Sequence, residues 1–263
     1  MTTRLVLLLA GLLATSAPNA AGPARIGIII DDLGNRWERD VRAIDLPGPL
    51  GYAILPHTPF ARRLAERAHA LGKEVLLHQP MQAEQGLRLG PGGLQDDMRQ
   101  ADFVRILDHN LAALPHVRGI NNHMGSRLTA QPRAMRWLMD TLRDHGGLFF
   151  IDSRTTRATV AEQTARSRGL PASRRNVFLD NIRDPEAIGR QFDRLIAHAR
   201  RHGDAIGIGH PYPETLAVLA RRLGELANRS DVQLVPVSRI VQLRNGGDTW
   251  QASLSHSPKA VKN

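Results

Sequence analysis

The chain has 263 residues, of which 42% are hydrophobic; it is long enough for one large domain with a well-buried core and too apolar to be disordered. Aromatic residues make up only 4%, too few for a base-stacking surface, so nucleic acid is not an expected partner. Cysteine is absent, which excludes disulfides and thiolate chemistry, and a net charge of +10 favours anionic surroundings. Much of that charge comes in pairs such as Arg62-Arg63, Arg174-Arg175 and Arg221-Arg222, which read as solvated surface.

The first 21 residues carry one positive charge, an apolar run from Leu5 to Leu13, and then small residues up to Ala17, Ala20 and Ala21. This is the layout of a secretory signal peptide, and the run is too short to span a bilayer comfortably. It predicts export, to the periplasm in a Gram-negative cell, with membrane contact through that segment alone. A folded domain is expected over 22–243 and a disordered polar tail over 244–263.

Short continuous apolar runs follow in order: Ile26 to Ile30, Leu50 to Leu55, Glu74 to Leu77, Val117 to Ile120, Leu148 to Ile151, Val177 to Leu179, Ala205 to Ile208 and Val232 to Val237. Unbroken apolarity predicts parallel strands buried on both faces. Between them lie helical spacings: Phe60, Leu64, Ala68 and Leu71; Phe103, Leu107, Leu111 and Leu114; Ile188, Phe192, Leu195 and Ala199. Asp184-Pro185 reads as an N-cap with proline at the first helical position, and Thr129 as the start of another helix. The alternation predicts an α/β barrel or an open doubly wound sheet.

Ionisable residues recur where these strands end. Asp31 and Asp32 close the first run, His78 the third, His123 the fourth, Asp152 the fifth, Asp180 the sixth and His210 the seventh. In α/β barrels the site lies at the carboxyl ends of the strands, so their recurrence predicts a shared site. Asp32, His78 and His123 would supply one carboxylate and two imidazoles, a set that suits zinc or the facial triad of non-haem iron. Asp31 would accept a proton from bound water and His210 would protonate a leaving group. H-E-x-x-H, G-x-S-x-G, Walker and dinucleotide glycine motifs are all absent from the sequence.

The blocks IGIIIDDLGN, EVLLHQPMQ, GINNHMGSRLTA, LFFIDSRTT, NVFLDN and AIGIGHPYPETL, in this order from Arg25 to Ser238, resemble the divergent polysaccharide deacetylase family. That family is related to the NodB-like polysaccharide deacetylases. The resemblance implies a distorted (β/α)7 barrel of the glycoside hydrolase/deacetylase type. It implies Asp31 as base, Asp32 and His78 as metal ligands and His210 as acid. Gln82 stands where the relatives have a second metal histidine, which leaves His123 as the replacement. The relatives' arginine motif has no clear match; Arg127 and Arg154 are the residues considered for it.

The activity so implied is metal-dependent hydrolysis of an acetyl group on an envelope polysaccharide, with Zn2+ as the expected ion. Asp152 and Asp180 are expected to orient His210 or the ligands, and Asn121 and Asn122 to order the loop around His123 or contact sugar hydroxyls. Met124 and His57 are read as packing and turn residues. The alternatives are a non-catalytic envelope carbohydrate-binding or scaffolding protein that keeps the barrel and metal, and a phosphate-ester hydrolase.

Overall fold

The computed structural model describes residues 22–246. The expected signal segment and residues 247–263 of the expected tail lie outside the described residues.

The elements run β1 (Ala24–Leu33), α1 (Trp37–Ile44), β2 (Gly51–Ile54), α2 (Ala61–Ala70), β3 (Glu74–Met81), α3 (Gln100–Ala113), β4 (Val117–Met124), α4 (Pro132–His145), β5 (Phe149–Asp152), α5 (Ala161–Ser167), β6 (Ala172–Arg174), β7 (Val177–Phe178), α6 (Pro185–His202), β8 (Asp204–Gly209), α7 (Pro213–Leu226), β9 (Val232–Leu234) and α8 (Val237–Arg244). All strand pairs are parallel, in the order β6-β5-β4-β3-β2-β1-β8-β7, with β9 also paired to β1. The sheet curls into a distorted barrel whose seam lies between β6 and β7, which do not pair among the described residues.

Alternation along each strand sorts the core into two parts. Ile26, Ile28 and Ile30 of β1, with Leu77 of β3, Ile120 of β4 and Phe150 of β5, join the layer beneath the helices. Ile29, Leu76, Phe149, Ile151, Ile206 and Ile208 face the lumen, where Val237, Ile240 and Val241 of α8 pack against them. Gly119 belongs to this crowded interior: a Cβ there would sit 2.4 Å from the Phe149 ring.

The structure amends several expectations. β1, β3 and β4 continue past their apolar runs into the polar residues, because the β3–β4 ladder stays in register from Leu76↔Gly119 to Met81↔Met124. β6 carries no apolar run and was not expected; pairing with β5 supplies what its sequence lacks. The last apolar run divides between β9 and α8. Asp184 does cap α6, accepting from Ala187 N at 2.8 Å. Thr129 does not start α4; it lies in a short 3-10 turn and its Oγ1 donates to Gly125 O at 2.7 Å.

The tail boundary also moves. Arg244 ends α8 and reaches across the open seam: its Nε donates to Asp204 at 2.6 Å, Nη1 to Ser173 Oγ at 2.5 Å and Nη2 to Asn176 Oδ1 at 3.0 Å. Asn245 Nδ2 donates to Ala172 O at 2.9 Å. Both residues therefore belong to the domain, not to the tail expected from 244.

Candidate active site

The period-2 alternation that builds the core also builds the site. Asp31 follows Ile29 on the lumen side, His78 follows Leu76, Asn121 and His123 follow Gly119, and His210 follows Ile208. Asp32 would ordinarily point to the opposite face. Its backbone instead adopts φ +61, at an irregularity in the β1–β2 register between Ile30 and Leu33. That left-handed turn is tolerated better by Asp than by most residues, and Arg39 Nη2 donates to Asp32 O at 3.0 Å. The consequence is that two consecutive carboxylates approach the same imidazole.

His78 Nε2 lies 3.1 Å from Asp32 Oδ1 and 3.8 Å from Asp31 Oδ2. His123 Nδ1 lies 2.8 Å from Asp32 Oδ1 and 3.3 Å from His78 Nε2. Donor atoms of Asp32, His78 and His123 all fall within 4.8 Å of one another. Asp32 Oδ1 is buried yet has no hydrogen bond of normal geometry. Converging lone pairs with a bare buried oxygen among them fit a divalent ion, which imidazole and carboxylate hold at ~2.0–2.2 Å.

Asn121 sets the protonation pattern around this cluster. Its Oδ1 accepts from His78 Nδ1 at 2.8 Å, and its Nδ2 donates to Asp31 Oδ1 at 2.8 Å. The amide thereby keeps one His78 proton on Nδ1, makes Nε2 the nitrogen available for a ligand bond, and holds Asp31 by one oxygen. Burial pushes the Asp31 carboxyl up, and His78 and His210 offset part of that. Burial also raises Asp32, but the adjacent imidazoles of His123 and His78 outweigh it and hold that carboxyl well below the usual range. Burial works against protonated His78, yet the two aspartates push its imidazole up to about 9.

His210 stands across the cleft, with Nε2 3.8 Å from Asp32 Oδ2. Its Nδ1 donates to Asp180 Oδ1 at 2.9 Å and its backbone N to Asp180 Oδ2 at 2.6 Å. Thr215 Oγ1, from α7, donates to the same Oδ2 at 2.8 Å. Burial pulls the His210 imidazole down, but Asp180 and Asp31 more than compensate, so it is raised.

Asp31, Asp32, His78, His123 and His210 line a cleft of 180 Å³ that Asn122, Met124, Ser153, Thr155, Arg175, Phe178 and Ile208 complete. The family model for divergent polysaccharide deacetylases matches residues 28–241, which include all of them. The chain belongs to the divergent polysaccharide deacetylase family. It is 38% identical over 217 residues to an uncharacterized protein of Haemophilus influenzae Rd, covering 82% of this chain and 76% of that one. It is 37% identical over 238 residues to the uncharacterized protein YibQ of Escherichia coli K12, covering 90% and 73%. An uncharacterized Agrobacterium tumefaciens C58 protein of known structure superposes with a TM-score of 0.78 at 26% identity, over 84% of this chain and 90% of that one. The peptidoglycan deacetylase PdaC of Bacillus subtilis superposes at 0.53 with 11% identity, over 84% and 92%, a likeness of fold alone. The fold is that of NodB-like deacetylases.

In this member of the family, several expected residues take other duties. Asp152 sits on the helix-facing side of β5, where it accepts from Arg154 N and Thr159 Oγ1, each at 2.8 Å; it orders its own loop and does not touch His210. Asn121 is buried between His78 and Asp31, out of reach of a sugar. Asn122 does order loops, accepting from Ser153 N at 2.9 Å and donating to Met124 O at 2.7 Å. Gln82 accepts from Asp96 N at 2.9 Å and is not part of the ligand cluster. His57 bonds Asn110 Oδ1 at 2.8 Å, in a turn with φ +57.

Neither arginine considered for the missing motif lines the cleft. Arg127 pairs with Asp96 at 2.6 Å, and Arg154 lines a neighbouring depression. Arg175, read from sequence as half of a surface pair, is the one that does. Its Nε donates to Ser153 O at 2.6 Å and its Nη2 to Arg154 O at 2.9 Å, while its guanidinium lies 4.5 Å above the Phe178 ring. Burial pulls this half-buried guanidinium down, and the Asp31 carboxylate offsets part of that. Thr215 was missed as well; a threonine two residues into a helix carries no sign in sequence of the carboxylate it will meet.

Proposed function

We propose that the protein is a metal-dependent carbohydrate deacetylase, exported to the cell envelope, that removes acetyl groups from an N- or O-acetylated polysaccharide. The observation that carries this reading is the placement of a three-ligand cluster between a buried carboxylate, Asp31, and a histidine, His210, tethered by its own carboxylate. Binding alone requires neither a base nor an acid.

Asp32, His78 and His123 would hold the ion. Zinc suits this donor set, and such an ion supplies Lewis acidity and lowers the pKa of water from ~15.7 towards about 7. Asp31 takes the proton of the attacking water; Asn121 occupies its Oδ1 and leaves Oδ2 towards the cleft. His210 delivers its Nε2 proton to the departing amine or alkoxide, while Asp180 secures the Nδ1 proton and balances the imidazolium. Arg175 keeps a positive field over Asp31, which favours its ionised, basic form.

A non-catalytic carbohydrate-binding protein is the second reading, favoured by Gln82 in place of a second ligand histidine. Acetate release from a panel of N- and O-acetylated glycans, measured with the metal content of the same preparation, decides between the two. Metal-dependent release that Asp31→Asn abolishes supports hydrolysis; a metal-loaded protein that releases acetate from none of them sinks it.

A further inference from the structure

A groove of 780 Å³ runs between α1 and the start of α7, within the ~300–1,000 Å³ range of sites that take small ligands. Arg36, Arg39, Arg42 and Arg183 line it, with Leu46, Leu216, Ala217 and Ala220 among its apolar walls and no carboxylate among the lining residues. The groove adjoins the cleft through two of its lining residues. Tyr212 lines the groove while its ring lies 5.4 Å from that of His210, and Arg39 lines it while bonding the carbonyl of Asp32.

A second depression, of 240 Å³, opens on the other side of the cleft and shares Thr155 and Arg175 with it. Arg154 and Arg157 line this depression, again without a carboxylate. The cleft is thus flanked on both sides by guanidinium groups.

Several arginines outside the groove are paired, such as Arg127 with Asp96, Arg168 with Asp140 and Arg200 with Asp231, whereas Arg36 and Arg42 line the groove without an ion pair among the described residues. In the groove, Arg39 pairs with Asp40 at 2.7 Å and Arg183 approaches Glu214 at 3.6 Å while stacking on Tyr212. Gathering like charges around a half-apolar channel costs free energy that an anionic ligand would offset. A neutral sugar chain would form no ion pair with them, whereas the planar guanidinium fork pairs with carboxylate or phosphate through two charge-assisted hydrogen bonds.

We infer that the substrate of the proposed deacetylase is an anionic acetylated glycan, whose carboxylate or phosphate groups lie in the arginine groove and in the opposite depression while its acetyl group enters the cleft. This rests on the deacetylase reading for the acetyl group and on the two flanking surfaces for the charge.

The test reads binding apart from turnover, in the metal-loaded Asp31→Asn protein. Three oligomers of equal length serve as probes: neutral N-acetylglucosamine, N-acetylglucosamine alternating with glucuronate, and N-acetylglucosamine linked through phosphodiesters. The last two separate carboxylate from phosphate. The expected result is at least about tenfold tighter binding of one or both anionic oligomers, weakened by salt. Adding Arg36→Gln, Arg42→Gln and Arg183→Gln should remove the preference, and Arg157→Gln should reduce it, with the neutral oligomer unaffected; lysine at the three groove positions should restore part of it.

Equal affinity for neutral and anionic oligomers overturns the inference, as does a preference that survives in both variants. Retention by anionic phospholipid vesicles without retention of either anionic oligomer overturns it too, since the arginines would then serve a membrane surface. Acetate release by the wild-type protein is scored separately. Its absence would sink the deacetylase reading and leave the charge preference readable.

Discussion

Asp180 holds His210 at two points, its Oδ1 2.9 Å from the ring Nδ1 and its Oδ2 2.6 Å from the backbone N. The ring is thereby fixed in one tautomer and its charged form is favoured, against the burial that pulls it down. The raised folded pKa means that the stabilisation from this pair is fully present below the unfolded pKa of histidine and is lost as pH rises through the folded value. In Asp180→Asn the imidazole pKa should fall. The acid is then deprotonated at lower pH, so the alkaline limb of the rate profile should move to lower pH and the maximal rate should drop about 10²-fold. A pH–rate profile of the two proteins checks this; an unmoved alkaline limb would remove His210 from the role of acid.

Asp31→Asn keeps the size of the side chain and removes its basicity. The Asn121 contact can reorient, and the β1 core from Ile26 to Ile30 is untouched, so fold and metal content should be retained. Loss of the base should slow deacetylation by ~10²–10⁴-fold, or about 3–5.5 kcal/mol of barrier. Rate and metal stoichiometry measured together test the assignment. A metal-replete variant with wild-type rate would show that another group takes the proton.

Metal binding should depend on Asp32, His78 and His123 and be indifferent to Gln82. Alanine at any of the three should empty or severely weaken the site, whereas Gln82→Ala should retain the ion. Asn121→Ala should weaken affinity by ~10–100-fold, because nothing then holds the His78 proton on Nδ1. Metal analysis of each purified variant is the measurement. An empty site in His210→Ala would make that residue a ligand and leave the acid to be sought elsewhere.

The strands, their polar ends and the cluster itself were legible because chain direction and apolar runs locate the carboxyl ends of a parallel sheet. Lumen-facing parity was not legible in unbroken apolar runs and emerges only from the structure: Asp31, His78, Asn121, His123 and His210 each stand an even number of residues after a lumen-facing strand residue, and Asp152 stands an odd number after Ile151. That parity distinguishes Asp152 from the site, and the recurrence of acids at strand ends alone did not. The turn at Asp32 was not legible, since a left-handed residue inside a strand has no marker in Asp-Asp-Leu-Gly. Nor was Arg175, where two adjacent arginines have opposite fates. Arg174 is 51% exposed and pairs with Glu162, while Arg175 turns inward to carbonyls presented by the loop after β5.

The seam between β6 and β7 sets the last prediction. Among the described residues no strand ladder closes it, and Arg244 substitutes for one by joining Asp204 at the start of β8, Ser173 in β6 and Asn176 before β7. The arginine and Asp204 side chains are only 18% and 15% exposed, so the pair is poorly screened, and removal of one partner strands the other. Arg244→Ala should therefore cost about 2–3 kcal/mol, lowering the melting temperature by roughly 4–12 °C for a domain of this size. Arg244→Lys should recover only part of this, because one ammonium cannot span three acceptors in the guanidinium's fixed geometry. Arg174→Ala, at a half-exposed neighbour, should melt with the native protein. Truncation after residue 243 should destabilise more than truncation after 246, since it removes Asn245 along with Arg244. Thermal melts of these variants decide the matter: native-like melting of Arg244→Ala would mean that lumen packing by α8 closes the barrel without the polar clasp.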